Sequence, residues 1–206
     1  WSSDVCSSDL GIFINPTEYD DVENVTYTSA DAGGYVRWEN PQTGNTFTPV
    51  ALTATSAGSA RSFCVSRYTR NRLFVGFEGG RIFRVDNAKS SSPTAINIGG
   101  TGLPGGVVSS VIIGSSDQRI IATYSNYGTP HVWVTSTGGG NGGWTNVNGN
   151  LPDIPVRWAM FFPEDDNKAL IATEMGVYET DQLNGASTIW VPSTGFPTVK
   201  IGRAHV

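Results

Sequence analysis

The chain has 206 residues, of which 25 are glycine, 11 are proline and only 15% are charged, and its formal net charge is −5. This composition argues against long helices, and no apolar run reaches the roughly 18 residues that a membrane-spanning helix requires. The negative charge and scattered basic residues argue against phosphate-driven nucleic-acid binding, and two cysteines with two histidines supply too few ligands for zinc clusters or a disulfide framework.

The two ends of the chain mirror each other at the level of DNA. One permitted coding of Ile201–Val206, ATC GGA AGA GCA CAC GTC, has a reverse complement that translates to the sequence of Asp4–Asp9. A sequencing adapter that flanks a DNA insert in opposite orientations produces this arrangement, and Trp1–Leu10 resembles a longer stretch of the same oligonucleotide. We therefore expect residues 1–10 and 201–206 to be non-native tails, and residues 11–200 to be an internal segment of a longer protein.

Residues 11–200 contain a repeat of about 48 residues. Each repeat is anchored by a short apolar strand with a small residue, and taking Thr28, Gly76, Ala122 and Ala172 as equivalent gives spacings of 48, 46 and 50 residues. Another strand precedes each anchor, predicted in chain order at Ile12–Asn15, Ser62–Val65, Val108–Ile113 and Trp158–Phe162. Two more apolar strands follow each anchor, so that the repeats cover about 11–50, 60–98, 106–148 and 156–192.

Four short strands separated by Gly, Pro, Asn and Ser turns are the unit of a β-propeller blade. The strands are almost unbroken apolar runs, which we expect where neighbouring blades cover both faces of a sheet. A two-sheet sandwich is the alternative, but it gives no reason for a four-strand unit to recur at this period. We predict an all-β fold with about four antiparallel four-stranded blades of a larger ring, of seven or more, whose missing blades are packing partners from the same protein.

The sequences of Asn71–Arg84 and Gly176–Thr180 resemble blades of Asp-box (BNR) propellers, which are related to sortilin-type domains, sialidases and two-propeller xyloglucanases. Thr135–Trp144 is similar to an Asp-box loop, with the pattern S-x-D-x-G-x-x-W, but lacks the Asp. The similarity is to large secreted bacterial repeat proteins, and it implies a secreted or cell-surface location. It specifies fold better than function, because one fold hosts many activities.

The turns between the second and third strands of the repeats are expected on the same face as the links between repeats. Three of the four repeats place a carboxylate there, and the remaining one places an Asn–Tyr pair. The candidate ligand-binding residues are Asp31, Glu78, Asn126, Tyr127 and Glu174. They suit a hydroxyl-rich ligand, a cation, or acid–base chemistry on a glycoside. The alternative interpretation is that they are ordinary turn formers and solvated hairpin residues.

No catalytic constellation stands out elsewhere in the sequence. Sialidase-like chemistry would need an arginine cluster with a Tyr–Glu pair, and no spacing singles out such a set. The acidic run Pro163–Asn167 supplies few ligands for calcium. Cys64 is predicted to be a buried thiol, and His131 a surface or hydrogen-bonded core residue. Catalytic residues therefore stay unassigned, and we expect no metal and no cofactor.

The sequence favours a secreted or cell-surface module that binds a polysaccharide or a cell-surface protein without catalysis of its own. The alternative is part of a glycoside hydrolase, xyloglucanase-like or sialidase-like, with catalytic carboxylates partly outside this segment. A third hypothesis is a purely structural spacer in an adhesin.

Overall fold

The computed structural model describes residues 15–30, 33–44, 46–52 and 58–196. These residues form four separate antiparallel sheets of four strands, and the strand order within each sheet follows the order along the chain. Two one-turn 3₁₀ segments, Glu78–Gly80 and Gly185–Ser187, interrupt the connections between strands. Among the described residues there is no helix with the length and apolar character needed to span a membrane.

The strand bounds follow the chain, sheet by sheet. The first sheet holds β1 (Thr17–Asp20), β2 (Val25–Ala30), β3 (Gly34–Glu39) and β4 (Thr46–Ala51). The second holds β5 (Ala60–Val65), β6 (Arg72–Phe77), β7 (Ile82–Asp86) and β8 (Thr94–Asn97). The third holds β9 (Val108–Ile113), β10 (Ile120–Tyr124), β11 (Val132–Thr135) and β12 (Trp144–Asn146). The fourth holds β13 (Val156–Phe162), β14 (Asp165–Thr173), β15 (Gly176–Thr180) and β16 (Val191–Pro192).

The predicted fold class is confirmed: the chain is all-β, and its four-stranded antiparallel sheets are those of propeller blades. The first sheet departs from the prediction, because β1 begins at Thr17 and not at Ile12, and residues 12–14 lie outside the described residues. Its sequence, Thr-Glu-Tyr-Asp, carries no apolar run, and three of its four side chains are not buried. A half-exposed strand needs no continuous apolar sequence. The prediction relied on apolar residues and therefore placed the strand at the neighbouring Ile-Phe-Ile.

Three hydrophobic cores lie between successive sheets. One joins the first and second sheets, another the second and third, and the last the third and fourth. In β6, Leu73 and Val75 face the first sheet while Phe74 faces the third, so both faces of the second sheet are buried. This two-sided burial is the physical reason for the unbroken apolar runs.

The small anchor residue permits close packing between the second and third sheets. A Cβ added to Gly76 would lie 2.4 Å from a methyl carbon of Val108 on β9. The first strands of neighbouring sheets are also in contact, with β5 lying against both β1 and β9. The sheets therefore meet along their first strands, as blades do around a propeller axis.

Two tryptophans, one in β12 and one directly before β16, connect the third sheet to the second and the fourth sheet to the third. Trp144 donates its indole N–H to the Ile98 carbonyl at 2.6 Å, and Trp190 donates to the Val147 carbonyl at 2.8 Å. Both rings are buried. These two tryptophans are packing residues that also satisfy a carbonyl of the preceding sheet.

The loop that resembles an Asp-box is built by glycines. Counting back from Trp144, the place of the Asp is held by Gly139, which has a φ of 85°. A Cβ there would lie 2.3 Å from the Ile98 carbonyl oxygen and 2.7 Å from the Trp144 indole nitrogen. The loop has no room for an aspartate at this position, which accounts for the departure from the pattern.

Equivalent turns of neighbouring sheets lie beside one another and define two faces. We call upper face the end that carries the turns between β2 and β3, β6 and β7, β10 and β11, and β14 and β15. The lower face carries the turns between β1 and β2, β5 and β6, β9 and β10, and β13 and β14. Cross-sheet hydrogen bonds on each face, such as Tyr127 to Glu174 above and Tyr68 to Gly114 below, hold the alignment.

Candidate functional site

Four of the five candidate residues lie on the upper face, and the fifth, Asp31, lies outside the described residues. Glu78 opens the 3₁₀ turn after β6. Asn126 and Tyr127 lie in the turn after β10, and Glu174 follows β14 directly. The structure brings Tyr127 and Glu174 together across two sheets.

The most developed group on this face is a three-residue chain of contacts. Tyr127 donates its hydroxyl hydrogen to Oε2 of Glu174 at 3.1 Å, and Arg157 donates to Oε1 of the same carboxylate. The Tyr127 side chain is 63% exposed, so its ring is presented to solvent while its hydroxyl is held. We call this group the Tyr127–Glu174–Arg157 surface.

An Arg–Glu pair occupies the equivalent place in the second sheet. Arg61, on β5, donates two hydrogen bonds to Oε1 of Glu78, the one from Nε being 2.8 Å long. The Arg61 hydrogen bond is the main reason that the pKa of Glu78 is lowered, in spite of a smaller opposing effect of burial. Glu78 is therefore held as a carboxylate near neutral pH.

Arg61 and Arg157 each lie at a β-bulge in the first strand of their sheet, and the bulge directs the side chain toward the upper face. The pairing between β5 and β6 skips Arg61, and the pairing between β13 and β14 skips Arg157. The third sheet has its bulge at the equivalent Ser109, whose hydroxyl reaches the Val156 carbonyl at 2.6 Å. Bulges re-aim side chains at sheet ends and recur next to binding sites.

The bulged residue and the turn residue keep a constant separation of 17 positions. It links Arg61 to Glu78 and Arg157 to Glu174, and counting the same interval from Ser109 reaches Asn126. Asn126 uses its side-chain oxygen to accept the backbone N–H of Val107, so within the described residues it connects the turn after β10 to the segment that enters β9. Sequence reasoning missed Arg157, although this spacing was present in the sequence.

Asp153 and His131 form hydrogen bonds that fix the loop carrying Tyr127. Both carboxylate oxygens of Asp153 accept the Gly128 backbone N–H, at 2.8 and 3.0 Å. Asp153 Oδ1 also lies 3.0 Å from Nε2 of His131, a side chain only 1% exposed. His131 Nδ1 faces the Tyr124 carbonyl at 3.3 Å. The core interpretation of His131 agrees with the structure, and Asp153 is a partner that the sequence analysis did not identify.

A pocket of about 360 Å³ opens beside this loop. Its polar wall includes His131, Asn148 and Asp153, and its apolar wall includes Leu151. Asn148 accepts the His131 backbone N–H at 2.8 Å, which fixes the position of the histidine. The pocket lies in the size range of small-ligand sites and adjoins the turn that carries Tyr127.

The titratable groups of the upper face are arranged for hydrogen bonding. The hydrogen bond to Glu174 is the first cause of a raised pKa at Tyr127, so the phenol stays protonated at neutral pH. Both ring nitrogens of His131 face oxygen atoms and neither points into open space. Cys64 is a buried free thiol whose pKa is raised by burial to about 12, which makes it a poor nucleophile.

The acidic run near Pro163 serves the contact between the third and fourth sheets. Asp166 accepts the Ser115 backbone N–H at 2.7 Å, and Asp165 accepts the N–H of Asn167 at the start of β14. Within the described ranges no three His, Cys, Asp or Glu side chains come close enough to hold a metal ion.

No protein-family profile matches the sequence, and no curated protein matches it either. Solved structures do match the fold. One is the crystal structure of an ancestral GH74 enzyme, with a TM-score of 0.58 and 17% identity over 86% of this chain. Another is the crystal structure of the computationally designed Ika8 protein, with a TM-score of 0.54 and 13% identity over 84% of this chain.

The chain spans 27% of the length of the GH74 enzyme and 46% of that of the designed protein. At these identities the likeness concerns the fold alone. The findings together establish an all-β chain of propeller-type sheets, similar in fold to a GH74 enzyme.

Proposed function

We propose that this chain is part of a secreted or cell-surface propeller that binds polysaccharide through the Tyr127–Glu174–Arg157 surface. The observation that carries the proposal is an exposed tyrosine ring whose hydroxyl is fixed by a carboxylate, which is itself fixed by an arginine. The exposed side chain of Met175, next to Glu174, adds apolar surface beside the ring.

A sugar ring has the chemistry that fits these three side chains. Its C–H face is attracted to the negative face of an aromatic ring, and its hydroxyl edge both donates and accepts hydrogen bonds. Glu174 offers acceptors and Arg157 offers donors next to the Tyr127 ring. Because contacts within the protein already hold all three side chains, little side-chain freedom is lost when a ligand binds.

The protonation states of Glu78 and Tyr127 do not suit the roles of general acid and phenolate nucleophile in glycoside hydrolysis. Hydrolysis of a glycoside commonly uses two carboxyl groups, of which one must be protonated to assist the leaving group. Arg61 holds Glu78 in its ionised form, and the hydrogen bond to Glu174 keeps Tyr127 a neutral phenol. Neither group has the protonation state of a general acid or of a phenolate nucleophile.

The second candidate function is a glycoside hydrolase, and the likeness in fold to an ancestral GH74 enzyme favours it. Because this chain spans 27% of that enzyme, the catalytic groups of such a protein would come partly from other sheets. A reducing-sugar assay separates the two candidates. Turnover of a polysaccharide that Glu174→Gln abolishes would support the hydrolase.

The binding proposal is tested with the full chain and its Tyr127 variants. Depletion assays on insoluble cellulose, xylan, mannan and chitin, and affinity electrophoresis in soluble xyloglucan, would identify a polysaccharide that retains the protein. Tyr127→Ala is expected to weaken that binding about ten-fold, or ~1.4 kcal/mol. Tyr127→Phe keeps the ring and should retain most of the affinity.

Two controls match these variants. Ile189→Ala removes an exposed apolar side chain from another part of the surface and should leave binding unchanged. Glu78→Gln changes the carboxylate that lies in the second sheet where Glu174 lies in the fourth. Among the described residues no tyrosine contacts Glu78, so this substitution should weaken binding less than Glu174→Gln does. Equal affinity of wild type and Tyr127→Ala for every retained polysaccharide would contradict the proposal.

A further inference from the structure

We propose that the lower face carries a second, independent pocket that binds a neutral sugar ring. The pocket has a volume of about 460 Å³ and lies between the turn that follows β1 and the turn that follows β5. Residues of both turns and of β9 form it, among them Glu18, Tyr19, Val22, Arg67, Tyr68 and Ile112. It opens at the opposite end of the sheets from Tyr127, so it does not belong to the surface described above.

One tyrosine ring flanks the pocket and is held by its hydroxyl group. Tyr68 is 53% exposed and donates to the Gly114 carbonyl of the next sheet at 2.7 Å. The register of β1 directs the Glu18 side chain toward the second sheet and the Tyr19 side chain to the opposite face, so Tyr19 adjoins the pocket without presenting its ring to it. The Tyr68 ring is thus a fixed platform that is exposed to solvent, which lowers the entropic cost of binding.

The two turns beside the pocket are also fixed. The Asp20 side chain caps the first turn by accepting the backbone N–H groups of Val22 and Glu23, at 3.1 and 2.9 Å. Glu23 in turn forms an ion pair with Arg70 of the second turn, with an N–O distance of 2.6 Å. The Ser66 hydroxyl caps the second turn by accepting the backbone N–H groups of Tyr68 and Thr69. The walls of the pocket are therefore preformed.

The electrostatics of the pocket favour a hydroxyl group as the ligand. Burial raises the pKa of Glu18, and the Val65 backbone and the charge of Arg67 act in the opposite direction. Arg67 is exposed and forms no ion pair within the described part of the chain. The charge of Arg67 acts on the Glu18 carboxyl although the two side chains form no ion pair among the described residues, so the carboxyl offers an acceptor and the guanidinium offers donors to the hydroxyl groups of a ligand.

A neutral ligand suits this pair better than a charged one. Three carboxyl groups and two guanidinium groups line the pocket: Glu18, Asp20, Asp21, Arg67 and Arg70. Groups of both signs therefore repel an added anion or an added cation, whereas a neutral polyhydroxylated ring meets no such repulsion. The exposed side chains of Tyr68 and Val22 offer apolar surface for the C–H face of such a ring. A pocket of this volume accommodates one or two sugar rings.

The experiment is an NMR titration of the full chain with the methyl glycosides of glucose, galactose, mannose, xylose and N-acetylglucosamine, with galacturonate as the charged comparator. At least one neutral glycoside is expected to shift the amide signals of residues 65–68 with a millimolar Kd. Tyr68→Ala should weaken that binding at least five-fold. Tyr127→Ala should leave it unchanged, so that this pocket and the upper-face proposal succeed or fail separately.

Arg67→Gln keeps the test valid if Tyr68→Ala disturbs the turn, because Arg67 has no ion pair among the described residues that the substitution would remove. It should weaken binding of the neutral glycoside to a similar extent. The proposal is overturned if no neutral glycoside shifts these signals, if Arg67→Gln binds like wild type, or if galacturonate binds at least as tightly as the best neutral glycoside.

Discussion

Replacement of Asp117 by alanine is expected to loosen the contact between the second and third sheets. Asp117 lies in the turn after β9, and its side chain is 11% exposed. It accepts hydrogen bonds from the hydroxyls of Ser66 and Thr69, at 2.5 and 2.7 Å, and from Nη1 of Arg72 at 2.8 Å. All three donors belong to the second sheet or its turn, so one carboxylate holds a neighbouring sheet at its lower end.

The size of the effect follows from these contacts. Hydrogen bonds to a charged group contribute about 1.5–3 kcal/mol each, and removal of one member of a buried ion pair costs about 3–5 kcal/mol. Water can reach the vacated positions in part, and Arg72 keeps its second partner, Asp86. We therefore expect Asp117→Ala to lower the free energy of unfolding by about 2–4 kcal/mol, equivalent to a decrease of roughly 5–15 °C in Tm.

The assay is urea denaturation of the full chain followed by tryptophan fluorescence, with thermal melts as a second measure. Asp117→Asn keeps the shape but loses the charge, and should lose about half as much stability. The control is Asp181→Ala, because Asp181 is 94% exposed and its ion pair with Lys168 is worth at most about 1 kcal/mol. A change within about 0.5 kcal/mol of wild type for Asp117→Ala would refute the reasoning.

Three further changes have defined outcomes. Trp190→Phe should lower the free energy of unfolding by about 1–3 kcal/mol, more than Trp144→Phe does. The reason is that the Ile98 carbonyl, which accepts from Trp144, also accepts the backbone N–H of Gly140 and keeps that partner after the substitution. Gly80→Ala should cost more than Gly128→Ala in thermal melts: both glycines have a positive φ, but the added Cβ at Gly80 would lie 1.9 Å from a backbone oxygen, whereas nothing lies within 4 Å at Gly128. The pKa of Glu78 is lower in the folded state than the value of about 4.3 in the unfolded state, so its ion pair stabilises the fold above a pH of about 4.3. This stability is lost as the pH falls through the folded-state pKa. Glu78→Gln should therefore reduce the pH dependence of the unfolding free energy between about pH 5 and 3, by no more than about 1 kcal/mol.

The fold was largely predictable because the inner strands of the middle sheets, such as β6 and β10, are buried on both faces. The strand Val108–Ile113 contains only apolar and small residues, and its bounds were predicted as the structure has them. The method failed at β1, where Tyr19 and Thr17 are exposed and the sequence lacks that signal. Burial on both faces made the inner strands recognisable in the sequence, whereas the exposed outer strands β4 and β8 were placed from the period of the repeat.

The candidate site was predictable only in part. The turn position of Glu174 followed from the repeat, but its contacts with Tyr127 and Arg157 depend on the packing of two sheets and on a bulge that no local pattern announces. The pairing of His131 with Asp153 has the same origin, since it joins a strand to the link that follows the sheet. For the two Arg–Glu pairs, the signal in the sequence was the constant interval of 17 residues between the arginine at the bulge and the glutamate in the turn.

The measurement that tests the central claim most directly is hydrogen–deuterium exchange of the full chain with and without the polysaccharide that retains it. Our account predicts slower exchange in residues 126–131 and 173–176 on the upper face, and loss of this protection in Tyr127→Ala. Protection confined to other parts of the chain, or protection of these segments that persists in Tyr127→Ala, would contradict it.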